Sequence, residues 1–262
     1  MLFCPADRPE RFAKAASCAD TVILDLEDGV APRDRSRARA AIIANPLSAA
    51  QTVVRINPSG TADHALDLEM LDCTSYQRVM LAKTETPAQV AALAPRRVVA
   101  LCETPTGVLC AQEIAAVDNV DAVMWGAEDL VAALHGLSSR DQNGRYRDIA
   151  RHARSSVLLA AGSSGKDTID AVFLDLTALE GLRAEAEDAA ASGFAGKACI
   201  HPSQVPIVRM AYRPSAERVT WARRVLDLAS NARGVFAFEG QMIDGPVLQQ
   251  ARAILEQSDR GS

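Results

Sequence analysis

The chain has 262 residues, enough for one large domain or two small ones, and its 48% hydrophobic content can supply a sizeable core. A net charge of −5 argues against a nucleic-acid surface, which needs a basic face, and 4% aromatic residues leave little for base stacking. No apolar run approaches the roughly 20 residues needed to span a bilayer. The N-terminus reaches Asp7-Arg8 before a signal-peptide core could form. Six cysteines show no CxxC or other metal-ligand spacing, which fits free thiols in a cytoplasmic protein.

Strand-like apolar runs recur in order: Leu2–Pro5, Thr21–Glu27, Thr52–Asn57, Arg78–Lys83, Arg97–Glu103, Ala122–Glu128, Ala171–Leu176 and Gly196–Pro202. Between them lie stretches with helical spacing, such as Arg8–Cys18, Arg33–Ala44 and Leu179–Ser192. Eight strands alternating with helices predict a parallel sheet with helices outside it. The length suits an α/β fold of the (β/α)8 TIM-barrel type, typically about 250 residues. A doubly wound open sheet would call for a Gly-rich phosphate turn, and no GxGxxG follows any strand. The sixth unit is long, with a polar loop Ser138–Gly144 and a helix from about Tyr146 to Ala161. After the eighth unit, helical spacing resumes over Val205–Ala211, Ser215–Ala229 and Val247–Gln257. The expected organisation is a catalytic barrel over 1–211 and a helical extension over 212–262. The extension carries Phe236, Phe238, Met242 and Ile243 close together, an apolar set to be buried on its own barrel or on a neighbouring subunit.

Polar residues close the runs: Asp7 and Arg8, Glu27 and Asp28, Arg55 and Asn57, Lys83, Glu103, Glu128 and Asp129, Asp175 and His201. In barrels of this kind the C-terminal strand ends carry the active site. Glu103 stands out because it ends a buried run on a carboxylate, and the next run does the same at Glu128-Asp129. Buried carboxylates cost desolvation energy unless something positive meets them. A divalent cation with oxygen ligands, Mg2+ above others, meets both at once. Either residue alone would read as a helix cap or an ion pair, and spacing does not choose between Glu128 and Asp129.

The motifs Leu2-Phe-Cys-Pro-Ala-Asp-Arg-Pro-Glu-Arg-Phe12, Ile23-Leu-Asp-Leu-Glu-Asp-Gly-Val30, Val54-Arg-Ile-Asn57, Glu103-Thr-Pro-Thr-Gly107, Gly126-Ala-Glu-Asp-Leu130, Ile200-His-Pro-Ser-Gln204 and Met242-Ile-Asp-Gly-Pro246 lie in order along nearly the whole chain. Together they resemble the citrate lyase β-subunit-like family of the HpcH/HpaI aldolase superfamily, which also holds malyl-CoA and citramalyl-CoA lyases. The resemblance implies a Mg2+-dependent barrel (Mn2+ being a possible substitute) that makes or breaks a C–C bond beside a CoA thioester. It implies Glu103 and Asp129 as metal ligands and Arg55 as the residue that grips the substrate carboxylate. A guanidinium suits that role because its planar fork binds a carboxylate bidentately. It also implies Asp244 as the proton donor to the departing thioester enolate, reaching in from a neighbouring subunit of a homotrimer. By the residues alone, Asp244 would be a helix cap before Pro246.

Glu27 and Asp28 are expected to hold Arg55 or metal-bound water, or to be solvated strand ends. Lys83 is expected to pair with the carboxylate cluster, His201 to be a hydrogen-bonded core histidine, and Arg8 and Lys14 to meet CoA phosphates. The leading function is a stand-alone acyl-CoA lyase acting on a small-molecule citryl-, malyl-, citramalyl- or hydroxymethylglutaryl-CoA type of substrate. A β subunit of a citrate lyase complex and a free-acid pyruvate-type aldolase are the alternatives.

Overall fold

The computed structural model describes residues 1–231 and 234–260. Two compact units emerge, Met1–Ile207 and Val208–Ser262.

The first unit is a parallel barrel. Its strands are β1 (Leu2–Pro5), β2 (Val22–Asp25), β3 (Thr52–Ile56), β4 (Arg78–Leu81), β5 (Arg97–Cys102), β6 (Val120–Trp125), β7 (Asp167–Asp170) and β8 (Gly196–Lys197). Each pairs in parallel with the next, in the order β1 to β8. A parallel bridge between Leu2 and Cys199 joins the two edges, with the Phe3 N–H donating to the Cys199 carbonyl and the Cys199 N–H to the Met1 carbonyl. Closing the sheet this way leaves no exposed edge. Helices follow the strands as α1 (Phe12–Cys18), α2 (Arg35–Ala44), α3 (Ala62–Asp72), α4 (Pro87–Ala91), α5 (Pro105–Leu109), α6 (Ala111–Ala115), α7 (Ala127–Ala133), α8 (Asp148–Ser163), α9 (Leu179–Ser192) and α10 (Gln204–Tyr212).

Successive strand side chains point to opposite faces, so every second residue enters the barrel. Ile23, Val53, Met80, Val99, Leu101, Ala122, Met124, Ile169 and Ala198 fill its interior as one buried cluster. The same period carries the inward row upward from Ile23 to Asp25, from Val53 to Arg55 and from Leu101 to Glu103. The polar layer at the strand ends therefore sits directly on the apolar packing below it.

Three strands differ from the sequence reading, the eighth being Gly196–Lys197 rather than Gly196–Pro202. The seventh is Asp167–Asp170 rather than Ala171–Leu176. Its alternating Asp-Thr-Ile-Asp is not an apolar run, yet Thr168 and Asp170 are buried because they pair between β6 and β8. Asp175 is consequently no strand end. It is exposed in a turn, where it accepts the N–H groups of Thr177 and Ala178. The sixth strand stops at Trp125, which places Glu128 and Asp129 in the first turn of α7.

The second unit pairs α11 (Ala216–Asn231) with α12 (Gly245–Arg260) around an antiparallel hairpin of β9 (Phe236–Phe238) and β10 (Gln241–Ile243). The hairpin turn takes φ +47 at Glu239 and +76 at Gly240, the positive pair that a two-residue hairpin favours. Ala222, Val225, Ile243, Ala251 and Ile254 form its core, with Phe236 and Phe238 packed against it. Most of the tail's apolar set is thus satisfied within its own unit, while Met242 stays 66% exposed.

Candidate active site at the C-terminal end of the barrel

A pocket of about 350 Å³ opens at the C-terminal strand ends, with Leu101 and Met124 among its floor residues and Asp25, Arg55, Glu103 and Asp129 around it. Arg55 is at its centre. Its Nε and Nη2 donate to the two carboxylate oxygens of Asp25 at 2.6 and 2.7 Å, and its Nη1 lies 2.9 Å from Glu27 Oε2. The ring of Phe3 packs beneath the guanidinium, 5.0 Å from its carbon. Three of the five guanidinium N–H groups are thereby committed, and two remain for another acceptor.

Asp25 does more than hold Arg55. Its oxygens also accept the N–H groups of Glu27 at 3.0 Å and Gly29 at 2.9 Å, folding the β2 loop back over the strand end. A Cβ on Gly29 would stand 2.3 Å from Asp25 Oδ2, so the turn needs glycine there. Gly126 is needed for the same reason, since a Cβ would come within 2.7 Å of Glu103 Oε2.

Glu103 is buried just beyond β5 and accepts the Lys83 N–H at 3.1 Å. Burial, then the nearby charge of Asp129, pushes its pKa up to about 8 against the pull of Arg55 and Lys83. Glu27 is buried too, and burial raises its pKa despite Arg55 and Lys83. The Lys83 ammonium contacts Glu27, Asp129 Oδ1 at 3.2 Å and Asp28 Oδ2 at 3.4 Å. Burial opposes its charge, but the Glu27 bond and the fields of Glu27, Glu103 and Asp129 prevail and hold its pKa above the ordinary lysine value.

The charge balance of this cluster is one-sided. Asp25, Glu27, Asp28, Glu103 and Asp129 set five carboxyl groups against two cations, Arg55 and Lys83, three more acidic groups than basic ones. All the available donors are oxygens, which suits a hard divalent cation. Among the described residues no group of three or more His, Cys, Asp or Glu is arranged to enclose a metal. Two carboxylates with the remaining positions left to water and substrate is the ordinary way for a protein to hold Mg2+. Glu103 and Asp129 fit that ion.

The other sequence-predicted residues take no part in the hydrogen bonds and ion pairs just described. Arg8 and Lys14 are exposed and neither lines the pocket. Glu128 lines the same pocket and accepts a 2.6 Å hydrogen bond from Ser139. His201 is hydrogen-bonded as expected, with its Nδ1 2.7 Å from Ser203 Oγ, but it is exposed rather than in the core. Asp244 lies in the second unit, where its Oδ1 accepts the Val247 N–H at 3.3 Å at the start of α12.

Two features escaped the sequence reading. Asp25 is one; the inward period from Ile23 through Asp25 to Glu27 would have found it. The other is a buried ionic cluster behind the pocket wall. Asp170 accepts from Trp125 Nε1 at 2.8 Å, Arg154 Nε at 2.9 Å and Lys197 Nζ at 3.0 Å, and Lys197 also reaches Glu185 at 2.8 Å. Burial opposes the Asp170 charge, but Lys197 and Arg154 hold its pKa below the usual carboxylate range. This cluster fixes Trp125, which lines the pocket.

A closed parallel barrel with an acid-rich pocket at its C-terminal strand ends defines a barrel enzyme built for an oxygen-ligated cation. The chain belongs to the HpcH/HpaI aldolase/citrate lyase family, whose model matches residues 1–202. It is 60% identical over 257 residues to the citrate lyase subunit beta-like protein of Mycobacterium tuberculosis (strain ATCC 25618 / H37Rv), covering 98% of this chain and 94% of that one. A crystal structure of the protein CitE from Mycobacterium tuberculosis, in complex with magnesium, acetoacetate and coenzyme A, superimposes with a TM-score of 0.96 at 59% identity, covering 98% of this chain and 97% of that chain. The mitochondrial citramalyl-CoA lyase of Homo sapiens is 29% identical over 286 residues, or 96% of this chain and 83% of that protein.

Proposed function

We propose that the protein is a Mg2+-dependent carbon–carbon lyase that cleaves a 3-hydroxy-carboxyacyl-CoA thioester to an acyl-CoA and a keto acid. The observation that carries this reading is the convergence of Glu103, Asp129 and Arg55 on one pocket that holds three more carboxyl groups than cations. It is supported by the relatives, one bound to magnesium, acetoacetate and coenzyme A and another a citramalyl-CoA lyase.

Glu103 and Asp129 would hold the metal, which supplies Lewis-acid stabilisation of negative charge on oxygen. Arg55 binds the substrate carboxylate through the two N–H groups that Asp25 and Glu27 leave over. Because Asp25 fixes the fork in advance, little ordering remains when the substrate arrives. Lys83, Glu27 and Asp28 hold the surrounding charges in place. Cleavage leaves a thioester enolate that needs a proton, and Asp244, delivered by a neighbouring copy in a homotrimer, is the assigned donor. Arg8 and Lys14 lie on the exposed surface of the first βα unit, where they can meet CoA phosphates. A cytoplasmic location is part of this proposal and fits the six cysteines without metal-ligand spacing; separately, no helix among the described residues is long and apolar enough to cross a membrane.

The deciding experiment incubates purified protein with malyl-, citramalyl-, citryl- and 3-hydroxy-3-methylglutaryl-CoA and identifies products by mass spectrometry. At least one thioester should be cleaved, with activity lost in EDTA and restored by Mg2+. Cleavage of none, or full activity in EDTA, would overturn the proposal.

A further inference from the structure

Lys83 follows β4 with φ +49, a left-handed backbone that residues other than glycine seldom adopt. From that position its N–H donates to Glu103 Oε1 at 3.1 Å. Its Nζ meanwhile contacts Glu27, Asp129 Oδ1 at 3.2 Å and Asp28 Oδ2 at 3.4 Å. One residue therefore touches both carboxylates assigned to the metal, Glu103 through its main chain and Asp129 through its side chain. The choice of lysine also matters. The chain has four lysines (Lys14, Lys83, Lys166 and Lys197), which leaves 24 of its 28 basic residues as arginine. An ammonium on a flexible stem can swing between acceptors, whereas a guanidinium fork tends to lock onto one carboxylate.

We propose that Lys83 is an internal counter-ion that competes with Mg2+ for Asp129 and so sets the affinity of the metal site. The inference rests on Glu103 and Asp129 being the metal ligands. The ammonium and a divalent ion both need the Asp129 oxygens, and a pocket screens their mutual repulsion poorly at such short range. Glu27 and Asp28 give the ammonium somewhere to go. When the metal arrives, the Lys83 head withdraws from Asp129 towards these two carboxylates on the β2 loop, without leaving the site.

Isothermal titration with MgCl2 tests this on wild type, Lys83→Met, Lys83→Gly, Lys83→Arg and Glu103→Ala, each checked for folding by circular dichroism. Both neutral variants should bind Mg2+ about tenfold or more tighter, because a like charge beside the metal has gone. Lys83→Arg keeps the charge but not the freedom to swing, so it should bind Mg2+ no tighter than wild type. Glycine is at ease at this φ, so Lys83→Gly supplies a folded neutral variant even if methionine does not. Wild type provides a further readout through 13Cε-lysine spectra. Only four signals arise, and Lys83 is the one lost in Lys83→Arg. Saturating Mg2+ should shift that signal and leave the other three unmoved. Equal or weaker Mg2+ binding in the folded neutral variants, or a Lys83 signal that ignores Mg2+, would overturn the inference. Absence of Mg2+ binding in wild type, or undiminished binding in Glu103→Ala, would instead remove the metal assignment beneath it.

Discussion

Asp25 and Arg55 are partners across β2 and β3: the parallel register sets them side by side, and the guanidinium bonds both carboxylate oxygens at 2.6 and 2.7 Å. The pair is buried, so each charge depends on the other. It also fixes the plane of the fork, because two parallel bonds leave it no rotation. Arg55 therefore presents its remaining donors in one direction before any substrate is bound.

Replacing Arg55 by Lys keeps the charge and loses the fork. We expect kcat/KM for the cleaved thioester to fall by about 100-fold or more, with the fold retained. Steady-state kinetics on the purified variant will decide, and an unchanged rate would return Arg55 to a purely structural role.

Asp25→Asn keeps the shape at position 25 but withdraws the charge and one acceptor. Its effect on kcat/KM should overlap that of Arg55→Lys, so the double variant should lose much less than the product of the two single losses. Full additivity would mean that Asp25 acts on something other than Arg55. Asp25→Ala, which leaves a buried cation with too few partners, should also lower stability by about 3–5 kcal/mol in denaturant titration.

What the sequence made legible follows a physical line. Strand ends with polar residues are visible because a buried apolar run that stops on a charge breaks a local pattern, as at Glu103. Asp25 was harder to see. It lies inside an apolar run, and only the inward period, together with the register to Arg55, shows that it faces the barrel interior. The seventh strand was missed because its polar residues are satisfied by distant partners: Lys197 is 27 residues from Asp170, and Trp125 is 45 residues from it. No local pattern encodes such pairings. The tail was legible as helices around an apolar set, but that this set packs within its own unit depends on contacts between α11, α12 and the hairpin.

The raised pKa of Glu103 makes the metal-free protein pH-sensitive. Its carboxyl titrates near 8 when folded against an ordinary value of 4.5, so the folded chain binds this proton more tightly than the unfolded one. Its contribution to stability is greatest below pH 4.5 and is lost as pH rises to about 8. Mg2+ must displace the same proton. Its apparent affinity should therefore climb with pH and level off above about 8, and the rise in Tm on adding Mg2+ should be larger at pH 8.5 than at pH 6. Thermal melts at both pH values, with MgCl2 and with EDTA, measure this. A Mg2+ shift independent of pH would show that no proton is exchanged at the site.

Thiol reactivity gives an independent check on the barrel. Burial pushes the Cys4 thiol up to about 11 and the Cys102 thiol up to about 12, and the thiolate is the reactive form. Cys73 is exposed. Iodoacetamide at pH 8 followed by peptide mapping should label Cys73 first and spare Cys4 and Cys102 until the protein is denatured. Early labelling of Cys102 would mean that β5, and Glu103 beside it, opens readily.

The assembly can be tested through Asp244. Its carboxylate accepts the Val247 N–H at the start of α12, so an alanine there would confuse loss of a helix cap with loss of a proton donor. Asparagine caps about as well as aspartate but has no carboxylic proton to give. Asp244→Asn should therefore keep its Tm and lose most of its kcat. Glu103→Ala should be inactive for a different reason, having lost a metal ligand. If Asp244 serves a neighbouring copy, co-expression of the two inactive chains will build rings in which some sites join an intact Glu103–Asp129 pair from one chain to an intact Asp244 from another. Closed cyclic assembly guarantees such mixed interfaces. Activity should then return to a substantial fraction of wild type, in proportion to the mixed oligomers seen by native mass spectrometry. If the mixed oligomers form and remain inactive, Asp244 acts within its own chain or takes no part in the proton transfer.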